Sequence, residues 1–132
     1  MNAGNDGVDF MTSSARLRNI DIRTVGDKGL SIGELSRVDV SKLKVERALT
    51  GIAVKDRSTL KAANSSIHNT SVGINLYSKN WRYDGPGEAE LTNITFGGNQ
   101  VDAQTEEAST LQLDKLSNPQ TFAGDGTVEH AQ

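Results

Sequence analysis

Gly29-Leu30-Ser31-Ile32 and, one unit later, Gly51-Ile52-Ala53-Val54 decide the fold, because the same phrase also stands at Gly7-Val8-Asp9-Phe10 and Gly73-Ile74-Asn75-Leu76. Consecutive glycines are 22 residues apart, three times running. A fixed short period marks a repeat architecture, in which one unit cannot bury its apolar face alone and neighbouring units must stack. Inside each unit apolar and polar residues alternate with period two. That reads as half-buried strands, not helices.

Working outward from the phrase, like residues fall into rows. The first strand offers Val8, Leu30, Ile52, Ile74 and then Phe10, Ile32, Val54, Leu76. A turn follows, with Ser14, Ser36 and Ser58 read as equivalent. The next strand offers Ala15, Val38, Leu60, Ala89 and Leu17, Val40, Ala62, Leu91. A corner at Asn19, Lys42, Asn64 and Asn93 leads to Ile20, Leu43, Ser65, Ile94 and to Ile22, Val45, Ile67, Phe96. Equivalent strands paired in parallel, roughly 4.8 Å apart, turn each row into a column inside a tube. Parallel connections are right-handed almost without exception. The expected fold is an all-β, right-handed, single-stranded parallel β-helix over residues 5–116, with about four coils of 22 residues and a partial fifth built on Val101, Ala103, Leu111 and Leu113. Asn at a corner accepts left-handed geometry and bonds its own backbone. Lys42 interrupts that column, so its coil is expected to turn differently. Residues 117–132 read as a polar, loose tail. The Asn2–Asp6 segment matches the turn before a repeat, so the chain is expected to be a piece of a longer protein, with Met1 an added start.

The outward positions form columns too. Arg16, Asp39, Lys61 and Glu90 alternate in sign, which suits a solvated stripe that fixes register. A second column reads Asp21, Lys44, Ser66, Thr95 and a third Asp9, Ser31, Ala53, Asn75. The fourth unit breaks the rhythm: 16 residues separate Gly73 from Ala89, where the two units before it use 9. The added segment lies within Tyr77–Gly87 and holds the only Trp and both Tyr of the chain. Loops on a rigid scaffold are where binding residues concentrate. Lys79, Trp81, Arg82 and Tyr83 are therefore the candidate ligand-binding residues, an aromatic face flanked by cations that suits a sugar ring.

Bulk properties remove several classes. A net charge of −3 and a pI near 5.3 argue against a nucleic-acid partner or an anionic lipid surface. No apolar run is long enough to insert in a membrane, and no secretory signal pattern opens the chain. With no cysteine there is neither a disulfide framework nor a thiolate metal site.

The phrases Gly26-Asp-Lys-Gly-Leu-Ser-Ile-Gly-Glu34, Gly51-Ile-Ala-Val-Lys-Asp56 and Ser78-Lys-Asn-Trp-Arg-Tyr83 resemble right-handed parallel β-helix repeat regions of the pectate-lyase-like superfamily. They are most similar to those of bacterial surface proteins that carry spore-coat-protein-H-like modules. The resemblance spans roughly residues 5–100. It implies an extracellular or cell-surface setting within a longer protein and a carbohydrate-facing lineage. Fold does not carry function across such a lineage. Its enzymes rely on clustered Asp residues or on carboxylates that hold calcium. Here Asp9 has no acidic neighbour above it, and Asp39 and Glu90 lie between cations. Glu34 and Asp56 stack at one turn between Thr12 and Ser78, a separation that would suit a retaining glycosidase, but beside Lys55 and Arg57 they read as solvated turn charges. His68 reads as a turn residue and His130 as part of the tail. The sequence thus predicts no catalytic residue, metal or cofactor. It predicts a structural or interaction scaffold that self-associates through open strand edges at its ends. The alternatives are a carbohydrate-binding module that takes polysaccharide through the Trp81 loop, and a fragment of a polysaccharide lyase or glycosidase.

Overall fold

The computed structural model describes residues 7–23 and 26–130, with Trp81 represented by its backbone alone. The Asn2–Asp6 turn and the Trp81 ring lie outside the described residues. The described residues are all-β, and among them the strands pair only in parallel. One six-stranded sheet runs β1 (Val8–Met11), β3 (Lys28–Gly33), β5 (Thr50–Lys55), β7 (Val72–Tyr77), β9 (Val101–Thr105) and β11 (Phe122–Gly124). The other runs β2 (Ser14–Arg23), β4 (Arg37–Glu46), β6 (Thr59–His68), β8 (Glu88–Gly97), β10 (Thr110–Leu113) and β12 (Thr127–His130). The chain alternates between the two sheets, so each odd strand and its successor make one tier of a solenoid-like stack.

The register follows the rows read from the sequence. Val8 pairs with Leu30, Leu30 with Ile52, and Ile52 with Ile74. Ala15, Val38, Leu60 and Ala89 line up in the second sheet, as do Ile22, Val45, Ile67 and Phe96. The inward rows of both sheets meet in one apolar cluster. The 22-residue glycine spacing has a steric cause. A Cβ placed on Gly51 would lie 2.5 Å from the carbonyl oxygen of Gly73 and 2.6 Å from Ile67 Cγ2. No side chain fits where the first strand crosses so close to the far end of its own tier.

In the earlier tiers the corners are turned by residues with positive φ. They are Thr12, Glu34 and Asp56 after the first strand, Asn19, Lys42, Asn64 and Asn93 within the long strand, and Arg47, Asn69 and Gly98 after it. Lys42 corrects an expectation. Its φ of 55° matches the 53° of Asn64 and 56° of Asn93. The left-handed region costs a non-glycine residue about 1–2 kcal/mol. Burying one large aliphatic side chain returns about 1.5–3 kcal/mol, and Val40, Leu43 and Val45 are all buried beside this corner. Packing therefore imposes the same turn on a residue ill-suited to it. The asparagine ladder forms where its members are adjacent, Asn93 Nδ2 donating to Asn64 Oδ1 at 2.9 Å.

The serine column is also corrected. Ser13, not Ser14, is the equivalent of Ser36 and Ser58: the Ser13 amide donates to Ser36 Oγ at 3.0 Å and the Ser36 amide to Ser58 Oγ at 3.1 Å. Ser14 pairs instead with Arg37 on the strand. In the third outward column Ser31 and Ala53 are wholly buried. The Lys55 stem covers this face, its Nζ 3.4 Å from Ser31 Oγ.

The largest departure is at the C-terminal end. Where a partial fifth coil and a loose tail were expected, two more tiers extend the stack as far as His130. Side chains bonded to backbone hold this polar stretch. Ser117 Oγ accepts the Ile94 amide at 2.8 Å, and Asp102 Oδ2 accepts the Gln120 amide at 2.8 Å. Charge is uneven along the stack. Residues 7–78 carry eleven Lys and Arg against seven Asp and Glu, while residues 79–130 carry three against nine.

Candidate functional site

The irregular segment between Tyr77 and Gly87 leaves the stack after β7 and rejoins it at β8. Its course is set by the corner of the tier beneath. Asp56 is 1 % exposed, and its Oδ1 accepts the amides of Lys79 and Asn80, each at 2.8 Å. Asn80 continues the arrangement: its Oδ1 accepts the Arg82 amide and its carbonyl the Tyr83 amide, closing a 3₁₀ turn over Trp81–Tyr83. Asp84 reverses the chain with φ 51°. The return is tied down by the Arg57 amide to Gly85 O at 3.1 Å and the Gly87 amide to Tyr77 O at 3.3 Å. The Glu88 amide then bonds Ser58 O at 3.0 Å and the ladder resumes.

Of the residues proposed to bind ligand, Lys79 and Arg82 are exposed and Tyr83 is half-buried. Three of the four thus lie on one short, tethered turn; the Trp81 ring is outside the described residues. Arg57, also exposed, runs beneath Gly85 and adds a third cation beside this turn.

Asp56 overturns its reading as a solvated charge. It does stack on Glu34, the Leu35 amide bonding Asp56 O at 3.0 Å, but it is buried and one of its oxygens already serves two amides. That is the geometry of an anchor. Glu34 is half-buried.

A second buried carboxyl went unnoticed in the sequence. Asp102 continues the glycine column, since its neighbour Ala103 pairs with Ile74. Its Oδ1 accepts from Asn99 Nδ2 at 3.0 Å, and its amide donates to Thr121 Oγ1 at 2.7 Å. Asn99 in turn accepts from the Thr70 amide and hydroxyl at 2.9 and 2.7 Å. Its position one residue before an inward Ala was the only available signal. His68 ends β6, its ring against Gly97 and its Nε2 buried with no hydrogen-bond partner. Among the described residues no three His, Asp or Glu side chains group as metal ligands would, and no helix is long and apolar enough to cross a membrane.

Asp114 holds the next corner. Lost solvation pushes its carboxyl up, but the amides of Asn93, Leu116 and Ser117 and the Ser117 hydroxyl outweigh that, so the group is held below its ordinary value of 3.8. Comparison of the chain with protein-family models, with curated proteins and with solved structures finds no match.

Proposed function

We propose that this chain is a right-handed, single-stranded parallel β-helix acting as a structural or interaction scaffold, non-catalytic by itself, within a larger bacterial surface or secreted protein. One observation carries the reading. The buried carboxyls of the stack, Asp56 and Asp102, accept hydrogen bonds that hold tiers and loop together: Asp56 through Oδ1 from the Lys79 and Asn80 amides, Asp102 through Oδ1 from Asn99 and through Oδ2 from the Gln120 amide. A catalytic acid or base must come within hydrogen-bond reach of substrate, and burial works against that at both. The test is incubation with a panel of acidic and neutral polysaccharides, alongside thermal melts of Asp102→Asn and Glu34→Gln. Absence of cleavage products together with a lowered melting temperature for Asp102→Asn is expected. Cleavage that Glu34→Gln abolishes without lowering the melting temperature would overturn the reading.

A second reading is favoured by the tethering of the Tyr77–Gly87 segment, which presents Lys79 and Arg82 from a fixed turn: recognition of polysaccharide through Lys79, Trp81, Arg82 and Tyr83. On this reading a glycan array gives specific binding that Trp81→Ala removes while the melting temperature holds. Loss of stability in that variant would mark the loop as packing instead.

A further inference from the structure

The chain contains three Asp-Gly steps: Asp6-Gly7, Asp84-Gly85 and Asp125-Gly126. We propose that Asp84, in the Tyr77–Gly87 segment, is a site of self-modification, the isomerisation of its backbone link to isoaspartate, and that the fold withholds the other two steps from the same reaction.

The chemistry needs two neighbouring groups to meet. The Gly amide nitrogen attacks Cγ of the Asp carboxyl. The N–Cγ bond forms, a Cγ–O bond breaks, and the carboxyl OH leaves with the amide proton as water. The product is a five-membered succinimide. Water then adds to one imide carbonyl. Addition at Cγ restores aspartate, whereas addition at the α-carbonyl leaves the chain running through Cβ and Cγ. Composition is unchanged, and no oxidant or cofactor takes part. Gly favours the closure because it has no Cβ to obstruct the ring. A hydrogen bond that holds its amide opposes it, since the nitrogen must turn towards Cγ.

Two of the three steps are held in this way. The Gly7 amide donates to Lys28 O at 2.8 Å, and the Gly126 amide to Thr105 Oγ1 at 3.0 Å. Thr105 O also accepts the Asp125 amide at 2.9 Å. Among the described residues the Gly85 amide has no acceptor and the Asp84 carboxylate no donor. Asp84 is exposed, so water reaches an imide formed there. Its φ of 51° is in the left-handed region, which is costly for an L-residue. An isoaspartyl link, with a further methylene in the backbone, is not confined to that region. The added methylene enters next to Gly85, whose carbonyl accepts the Arg57 amide at 3.1 Å, at the base of the turn that carries Lys79 and Arg82.

Prolonged warm storage of the folded chain in neutral buffer tests this. Enzymatic methylation of isoaspartyl carboxyls and electron-transfer fragmentation of the peptides then place isoaspartate at each step. Isoaspartate at position 84 should accumulate several-fold faster than at 6 or 125, and in denaturant the three rates should converge. Gly85 lacks a positive φ, and a Cβ there meets only the Arg57 side chain, 3.1 Å from its Cγ. Gly85→Ala should therefore keep the melting temperature and slow the reaction at Asp84 several-fold. Asp84→Glu, which would need a six-membered ring, should abolish it. Thr105→Val removes the acceptor of the Gly126 amide and should raise isomerisation at Asp125 several-fold while leaving Asp84 as it was. No excess at position 84 in the folded chain would overturn the proposal. So would a rate at Asp84 indifferent to Gly85→Ala, or a preference for position 84 that persists in denaturant, which would assign the order of reactivity to local sequence and not to the fold.

Discussion

At Lys42 the protein places a poorly suited side chain in a geometry its neighbours demand. Asn19, Asn64 and Asn93 take the same left-handed turn at lower cost, and the Asn64–Asn93 pair gains a side-chain hydrogen bond. Lys42→Asn should therefore stabilise the chain by about 0.5–1 kcal/mol, a fraction of the usual left-handed cost. That corresponds to a rise in melting temperature of roughly 2–4 °C for a chain of this size. Lys44→Asn, two residues on and facing outward from the strand, is the control and should give no gain. Equal melting temperatures for Lys42→Asn and the native chain would mean that the corner carries no strain. The sequence signalled the exception at this column, since Lys stands where Asn recurs. It could not signal the outcome, because the deciding force is the burial of Val40, Leu43 and Val45 in the tier around it. Gly51 shows the same division. Its spacing was visible, but the need for a bare Cα arises from Ile67 and the Gly73 carbonyl, contacts that exist only once the tiers are stacked.

Among the elements, the rows of β1 to β8 were legible because period-two alternation and a constant repeat length leave one register that keeps every aliphatic inside. β9 and β10 were legible in part, through Val101, Ala103, Leu111 and Leu113, which continue the inward rows. β11 and β12 were not: Thr105 and Gly124 stand where earlier tiers carry a large aliphatic, and polar side chains bonded to backbone hold this stretch, which leaves little hydrophobic rhythm to count. The candidate loop was legible as an insertion with an unusual share of aromatic and basic residues, but its anchor was not, since Asp56 looks like any turn acid until the Lys79 and Asn80 amides are seen to converge on it. Asp56→Ala should release the segment. Hydrogen exchange at Lys79, Asn80 and Arg82 should accelerate well before that at Ile52 or Ile74, with a cost of about 1–3 kcal/mol for two amides left without their acceptor. Unchanged exchange at Lys79 and Asn80 would show that the turn holds its own shape and that Asp56 is incidental to it.

Across the whole molecule, stability has a direction. In a stack of repeats each tier depends chiefly on its neighbours, so loss of order begins at the weakest tier and spreads. The early tiers are held by aliphatic rows and carry the excess of cations; the late tiers hold nine Asp and Glu to three Lys and Arg and lean on carboxyls that accept amides. Asp114 shows the consequence for pH. Because folding lowers its pKa below 3.8, its stabilising share is complete above 3.8 and is lost as pH falls through the lowered folded value. Protonation then weakens the bonds from Asn93, Leu116 and Ser117 together, at the corner that joins β10 to the last tier. Hydrogen exchange followed from pH 7 down to about pH 2–3, below the ordinary Asp range, should show residues 110–130 opening first while residues 28–76 stay protected. Asp114→Asn replaces the ionisable acceptor with one that does not titrate, so the last tiers should be less stable at neutral pH and less sensitive to acid. Opening that starts in the early tiers, or the same acid sensitivity with and without Asp114, would place the weak point elsewhere in the stack.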